Sequence, residues 1–382
     1  MARSLALVVL VLVVSAGHAS ARIIRVRAGG SIQAGVDAAA PGDVVVVAPG
    51  TYHEAGRPCP TDPTHTCAVV VDKNDITITA TPSSIQPVVL ENAGGQDQGL
   101  AFARQGADGA TCLGDPAQRL SGAQVSGLTV KGFDGVGIFL FCVDDWSVGG
   151  CQTHDNAEYG IFPSHCGSGR VTLSVATGSN DTGIYVGQSH DVRVDHNLAT
   201  GNVSGFEIEN SSNVRLDDNV AVGNTGGILS FTLPFLDVPQ NVHNQIDNNV
   251  VLNNNKPNTC LNPSDEVCGV LVGTGILVLA ADQNLVEENV VLGNNTFGIA
   301  VANFCVAQGI DPTTCAALGI EPNSDDTHVL FNQVQGNGTN PDPRLISPFF
   351  AVDLAWDGTG TGNCWTGNNA GTSFPPALPA CS

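Results

Sequence analysis

Hydrophobic and polar positions along most of the chain alternate in short bursts and never settle into helical spacing. The runs GIFLF (137), GIFPS (160), GIYVG (183), GFEIE (205), GILSF (227), GILVL (275) and GIAVA (298) carry this alternation, the two-residue period of a strand with one buried face. Their glycines are 23, 23, 22, 22, 48 and 23 residues apart. A second phrase recurs between them: VDHNLATGN (194–202), LDDNVAVGN (216–224), IDNNVVLNN (246–254), VEENVVLGN (286–294) and VLFNQVQGN (329–337). Each places two asparagines five residues apart, in the pairs Asn197/Asn202, Asn219/Asn224, Asn249/Asn254, Asn289/Asn294 and Asn332/Asn337. A period of 22–23 residues built from short strands predicts one turn of a parallel β-helix per repeat. Stacking such coils at about 4.8 Å puts equivalent residues in columns. An asparagine column is then stable because each amide donates to the next coil's carbonyl.

The pattern changes at both ends. RIIRV (22–26) reads as a short strand, and SIQAGVDAAA (31–40) places Ile32, Val36 and Ala39 on one helical face with Ser31 as N-cap. A short helix there would cap the open end of the solenoid, with residues 22–50 forming strand and cap. Residues 51–340 read as the β-helix proper, irregular and loop-rich up to about 131. The Pro-, Gly- and Thr-rich stretch 341–382 is expected to cover the far end. The chain thus reads as an all-β, single-domain solenoid without a linker. Residues 1–21, MARSLALVVLVLVVSAGHASA, have the charge, apolar run and small-residue ending of a secretory signal peptide. No transmembrane segment is expected after it, and the mature chain is expected in the periplasm or outside the cell.

Twelve cysteines, all beyond that leader, favour disulfides in an exported chain. Cys59/Cys67, Cys260/Cys268, Cys305/Cys315 and Cys364/Cys381 are close enough to pair locally, and the pairing of Cys112, Cys142, Cys151 and Cys166 is open. The segment CPTDPTHTC (59–67) contains His65 but reads as a stapled loop, since it lacks paired metal-ligand spacing. A formal net charge of −22 excludes binding to nucleic acid or anionic membrane through a general positive field. An acidic polysaccharide would need bridging cations. A monomer is expected.

The opening SIQ…AAPGD…PGTY (31–52) resembles the start of right-handed parallel β-helix proteins of the pectate-lyase-like superfamily, including NosD-like periplasmic proteins. The phrases GIYVGQS (183–189), EIENS (207–211), NTGGIL (224–229) and GTGI (273–276) are similar to a group of exported bacterial β-helix repeat proteins. The resemblance covers roughly residues 23–340. It implies a right-handed β-helix and, if an enzyme, a polysaccharide lyase, glycoside hydrolase or uronate epimerase. Mannuronan epimerases carry Tyr-Gly-X-Asp-Pro-His, whereas this chain reads Tyr159-Gly160-Ile161-Phe162-Pro163-Ser164-His165. Phe162 stands for the aspartate and His165 is displaced by one, so the epimerase site is not carried over. The only lysines, Lys73, Lys131 and Lys256, form no basic groove of the kind a lyase uses.

Strand alternation should turn Ile184, Val186 and Ile208 inward and leave an outer column of Phe139/Phe141, Phe162/Ser164, Tyr185/Gly187, Glu207/Glu209 and Leu229/Phe231. Aromatic rings beside carboxylates suit a sugar groove, the rings taking the apolar face of a pyranose. Glu207, Glu209, Tyr185 and His165 are the candidate catalytic residues, and Phe139, Phe162, Gln188, Asn210 and Phe231 the candidate substrate contacts. The competing reading is that these side chains decorate an ordinary exposed sheet or are covered by the 230–274 insertion. A second column, Asp195, Asp217, Asp247 and Glu287, is a candidate metal site, with calcium the ion that hard oxygen ligands suit; Arg193 and Arg215 on the same face offer a solvated alternative. No other cofactor is expected. The reading is therefore an exported β-helix that binds a polysaccharide or cell-surface glycan along an exposed sheet, with its cleavage or modification left open. The alternative is a non-catalytic scaffold or adhesin, a NosD-like maturation role included.

Overall fold

A computed structural model of the chain describes residues 21–382 except Ser84; the leader assigned to residues 1–21 lies essentially outside them. Three long sheets of 13, 11 and 12 strands run the length of the molecule. Each coil visits them in turn: Arg215–Asp217 in the first, Val220–Val222 in the second, Gly226–Phe231 in the third. Equivalent strands of successive coils pair in parallel, as Arg193–Asp195 with Arg215–Asp217 and then with Gln245–Asp247. The antiparallel exception is Arg57–Pro58 against Thr66–Cys67.

The repeat phrases explain this geometry residue by residue. Leu216, Ala221 and Ile228 are the inward residues of one coil, all essentially inaccessible. Between the first and second sheets the chain bends at one left-handed residue: His196, Asp218, Asn248, Glu288 and Phe331, with φ of 54–56°. Short polar residues tolerate that region best, which accounts for the variable, mostly polar position before the first asparagine. The repeated strand glycine has a different cause. A Cβ on Gly160, Gly205 or Gly227 would lie 2.4, 2.6 or 2.7 Å from the carbonyl oxygen of the next coil's glycine. The coils approach too closely there for any side chain.

Both asparagine columns form as expected. The Asn249 Oδ1 accepts from the Asn219 backbone N–H (3.0 Å) and Nδ2 (3.1 Å), while its own amide donates to the Leu216 carbonyl (2.8 Å) and to Asn289 Oδ1 (3.0 Å). The columns outrun the repeat phrases, ending on Asn368 and Asp353.

At the N-terminal end the helix Ile32–Ala38 buries Ile32 and Val36, and the Ser31 hydroxyl caps it by accepting from Ala34 N–H at 2.9 Å. At the other end the solenoid continues past residue 340. Leu354–Trp356, Cys364–Thr366, Asn369–Ala370 and Ser373–Phe374 pair in parallel with earlier coils. The 341–382 segment is thus partly a further coil, its periodicity hidden by short strands between Gly- and Pro-rich bends. The four local disulfides form, Cys112 pairs with Cys142, and Cys151 and Cys166 remain as buried thiols. The 48-residue step holds two insertions in one coil: one between Phe231 and Gln245, the other between Leu252 and Thr274.

Candidate functional site

The outer face of the third sheet carries the expected rows. Phe139 pairs with Phe162, Tyr185 with Glu207, Glu207 with Leu229, and Leu229 with Leu277; one row over, Phe141 pairs with Ser164, Gly187 with Glu209, and Glu209 with Phe231. The face is not open, however. Phe139, Tyr185, Glu207, Leu229 and Phe231 are all at most 9% exposed. The rings pack on one another, Phe162 lying 5.3 Å from Phe139 and 4.5 Å from Tyr185 between centroids. Phe139 and Phe162 also pack with Cys59 and Cys67 of the first disulfide and with Val70 of the strand that holds Cys67. They are a covered wall, not the sugar platform anticipated from alternation alone.

What stays accessible is a cavity of about 530 Å³ further along the same face. Its floor is Glu207, Glu209, Leu229, Phe231, Leu277 and Leu279. The turns holding Glu158, Tyr159, Asn180 and Asp181 line it as well, with Leu261, Ser264–Val267, Gly269 and Val270 of the second insertion. The insertion, the cover in the competing reading, lines the cavity instead. A more apolar cavity of about 310 Å³ adjoins it, sharing Leu229, Val270, Leu277 and Leu279 and extending over Phe297, Ala300 and Trp356.

Burial dominates the electrostatics. It pushes both Glu207 and Glu209 up to about 7, the two carboxylates repelling in addition at Glu207. Asp181 is likewise raised well above the carboxylate range, by burial first and by Glu207 second. The hydroxyls of Ser204 and Thr182 beside Glu207, and of Tyr185 beside Glu209, pull the other way. Tyr185 reaches Glu209 because Gly187 is bare: a Cβ there would sit 2.2 Å from the Tyr185 hydroxyl. Three carboxyls with raised affinity for protons therefore line one cavity.

The fold itself is decided by a sequence comparison. Residues 117–250 match the family model described as right handed beta helix region. The chain is a right-handed parallel β-helix. No curated protein matches it in sequence. Among solved structures, the β-helix is similar to the A-module of the Azotobacter vinelandii mannuronan C-5 epimerase AlgE4, with TM-score 0.60, 18% identity, and 88% and 82% of the two chains covered. The periplasmic alginate epimerase AlgG gives TM-score 0.58 at 14% identity, covering 91% of this chain and 76% of that one. A tailspike protein mutant of E. coli bacteriophage HK620, in complex with hexasaccharide, gives 0.54 at 12%, covering 90% and 59%.

Three expected site residues serve the β-helix in another way. His165, with φ 55°, shares a hydrogen bond with Ser164 Oγ through Nδ1 at 2.9 Å and donates from Nε2 to Asp237 Oδ2 at 3.2 Å. Gln188 accepts from Val238 N–H, and Asn210 donates to the Leu233 and Val238 carbonyls. All three grip the first insertion, and none lines the cavity. Conversely, sequence reading passed over Asp181, Glu158, Asp265 and Glu266, and met Tyr159 only as part of a motif comparison. These sit in bends, where no periodicity marks them; the one available signal was the excess length of the insertion.

The acidic column does form, but guanidinium groups occupy it. Arg170 meets Asp195 at 2.6 Å, Arg193 meets Asp217 at 2.7 Å and Arg215 meets Asp247 at 2.9 Å, each arginine reaching one coil forward. Gln245 donates to Glu287 at 3.2 Å. Against the upward push of burial, the Arg170 and His196 contacts hold Asp195 down at about 2. The arginines stand where calcium would have to bind. Among the described residues no cluster of three or more His, Cys, Asp or Glu is arranged to hold a metal ion.

Proposed function

We propose that this β-helix binds a glycan in the acidic cavity and hydrolyses a glycosidic bond there. The observation that carries the reading is the convergence of Asp181, Glu207 and Glu209 in one cavity, with two of them poised near neutrality. Glycoside hydrolysis needs one carboxyl holding a proton for the leaving oxygen and one carboxylate for water or the anomeric carbon. Glu207, desolvated and beside Asp181, holds the proton. Glu209, whose anion the Tyr185 hydroxyl favours, takes the second role. Lining residues include no lysine or arginine near these acids, which favours hydrolysis over abstraction of a proton next to a uronate. The fold is shared with epimerases of alginate and with a tailspike seen with a hexasaccharide, an analogy of fold that supports a glycan as ligand. Five disulfides suit an oxidising compartment, and the protein acts outside the cytoplasm as a monomer. No helix among the described residues is long and apolar enough to cross a membrane. A non-catalytic scaffold is the second reading, favoured by the 5% exposure of Glu207.

Incubating the protein with neutral, amino and acidic oligosaccharides and assaying new reducing ends tests the reading. Turnover is expected with at least one, and Glu207→Gln and Glu209→Gln should each lower it by about 10²–10⁴-fold. Unsaturated products would replace hydrolysis by elimination. No product from any oligosaccharide would leave the scaffold.

A further inference from the structure

The apolar cavity beside the acids arises from a change along two rows of the third sheet. Strand pairing carries one row from Glu207 through Leu229 and Leu277 to Ala300 and Ala355. The next row runs from Glu209 through Phe231 and Leu279 to Ala302. Large side chains thus give way to three alanines, and all three line the hollow of about 310 Å³. Three excursions of the chain complete its lining: 269–271 of the second insertion, 306–308 beyond the strand Phe297–Ala302, and 344–346. Each is braced. The disulfide Cys260–Cys268 staples the first and Cys305–Cys315 the second. The Arg344 guanidinium ties the third to the first, donating to the Cys268 and Val270 carbonyls at 2.8 and 2.9 Å.

Among the described residues lining the hollow, Arg344 and Asp357 are the ionised ones, and both are engaged. Arg344 also pairs with Asp342 at 2.8 Å. The Asp357 carboxylate accepts from Asn303 N–H through one oxygen and from the Thr359 N–H and hydroxyl through the other. No charge is left for a ligand, while Val306 and Ile346 line the hollow and are 37% and 49% exposed. An open apolar concavity whose charges are already paired suits an uncharged apolar group. The hollow is also continuous with the acids, since Leu229, Gly269, Val270, Leu277, Leu279 and Gln308 line both cavities. Glu207 and Ala300 are three coils apart on one row, roughly 14 Å, a span covered by a sugar with a chain attached. We propose that the hollow holds an uncharged alkyl aglycone, so that the ligand is an amphiphilic glycoside with its sugar at Glu207 and Glu209. The inference rests on the glycan reading and adds the substrate class.

The test titrates the intact disulfide-bonded protein with N-phenyl-1-naphthylamine, a neutral apolar fluorophore. It should bind saturably at one site. Affinity should fall about ten-fold or more in Ala300→Leu, which refills the row, and in the pair Val306→Asp and Ile346→Asp at exposed positions. Should Ala300→Leu fold poorly, the exposed pair decides. Butyl, hexyl and octyl β-glucosides, galactosides and N-acetylglucosaminides then compete with the probe below their micellar concentrations. Each added methylene should tighten binding about four-fold, and at least one octyl glycoside should compete about ten-fold better than octanol. Absence of probe binding, or binding that the folded variants leave unchanged, would overturn the apolar subsite. Affinity flat with chain length, or no octyl glycoside better than octanol, would overturn the aglycone. Neither result removes the glycan reading, which the reducing-end assay with unsubstituted oligosaccharides decides separately.

Discussion

At the scale of single residues, the site depends on one missing methyl group. Gly187 lets the Tyr185 ring lie along the strand and bring its hydroxyl to Glu209. Gly187→Ala would displace that hydroxyl, so the affinity of Glu209 for its proton should rise and the acidic limb of any pH–rate profile should move upward. A profile unchanged by the substitution would detach Tyr185 from catalysis. The same carboxyls make stability pH-dependent. Glu207 and Glu209 sit at about 7 in the folded protein against roughly 4.3 in an unfolded chain. The folded state therefore binds more protons between those values, and stability is lost as pH rises from about 4.3 to 7. Glu207→Gln and Glu209→Gln should flatten that fall and raise Tm at pH 8. A shift of about 2 °C or more is expected if about 1 kcal/mol is recovered, read by thermal melts at pH 4.5, 6 and 8.

At the scale of elements, the columns hold each coil to the next through side chains as well as backbone. Asn249→Ala removes an acceptor used twice by Asn219 and a donor used by Leu216 and Asn289. Each buried group left unpartnered costs about 1–3 kcal/mol, so this change should exceed the same change at Asn368, where the column ends. Equal losses in urea melts would mean that the columns do not act coil by coil. On the first sheet, Arg193→Ala strands the buried Asp217 carboxylate, with Arg215 left 3.6 Å away. It should destabilise measurably, while calcium or chelator leaves the Tm of the parent unchanged. A calcium-dependent Tm would restore the metal reading. The periodic half of this was legible in the sequence: the two asparagine columns, the Tyr185–Glu207–Leu229 row and the acidic column all follow from a constant repeat. The arginine partners were legible in part: Arg193 and Arg215 stand on the same face, but Arg170 reaches Asp195 across 25 residues of chain by a side-chain conformation that spacing does not fix.

At the scale of the whole molecule, the capping helix, the extra coil near the C-terminus and the disulfide-stapled loops close a stack that otherwise has open ends. Sequence periodicity gave the stack and the helix, but it cannot follow chain that leaves the coil. His165, expected to be catalytic, and Gln188 and Asn210, expected to contact substrate, all flank the strand; in space they hold a loop. Asp265 and Glu266 carried no mark in the sequence because nothing repeats around them; in space they line the same cavity as Asp181 and Glu207. Replacing residues 256–272 by a short turn should leave a folded solenoid, judged by circular dichroism, and abolish glycan binding. Retained binding would place the site elsewhere.

The asparagine column passes from Asn197 to Asn219 over 22 residues, to Asn249 over 30 and to Asn289 over 40, yet the hydrogen bond made at each step is the same. Length along the chain and height along the axis are therefore uncoupled in this architecture. Chain can be added or exchanged at a bend without disturbing the coils above and below it. The part of the cavity lining that comes from the second insertion is such an addition, which makes it an exchangeable cassette on a frame of fixed pitch. Selection for a new polymer could proceed by swapping that cassette alone, with the acids of the sheet left in place.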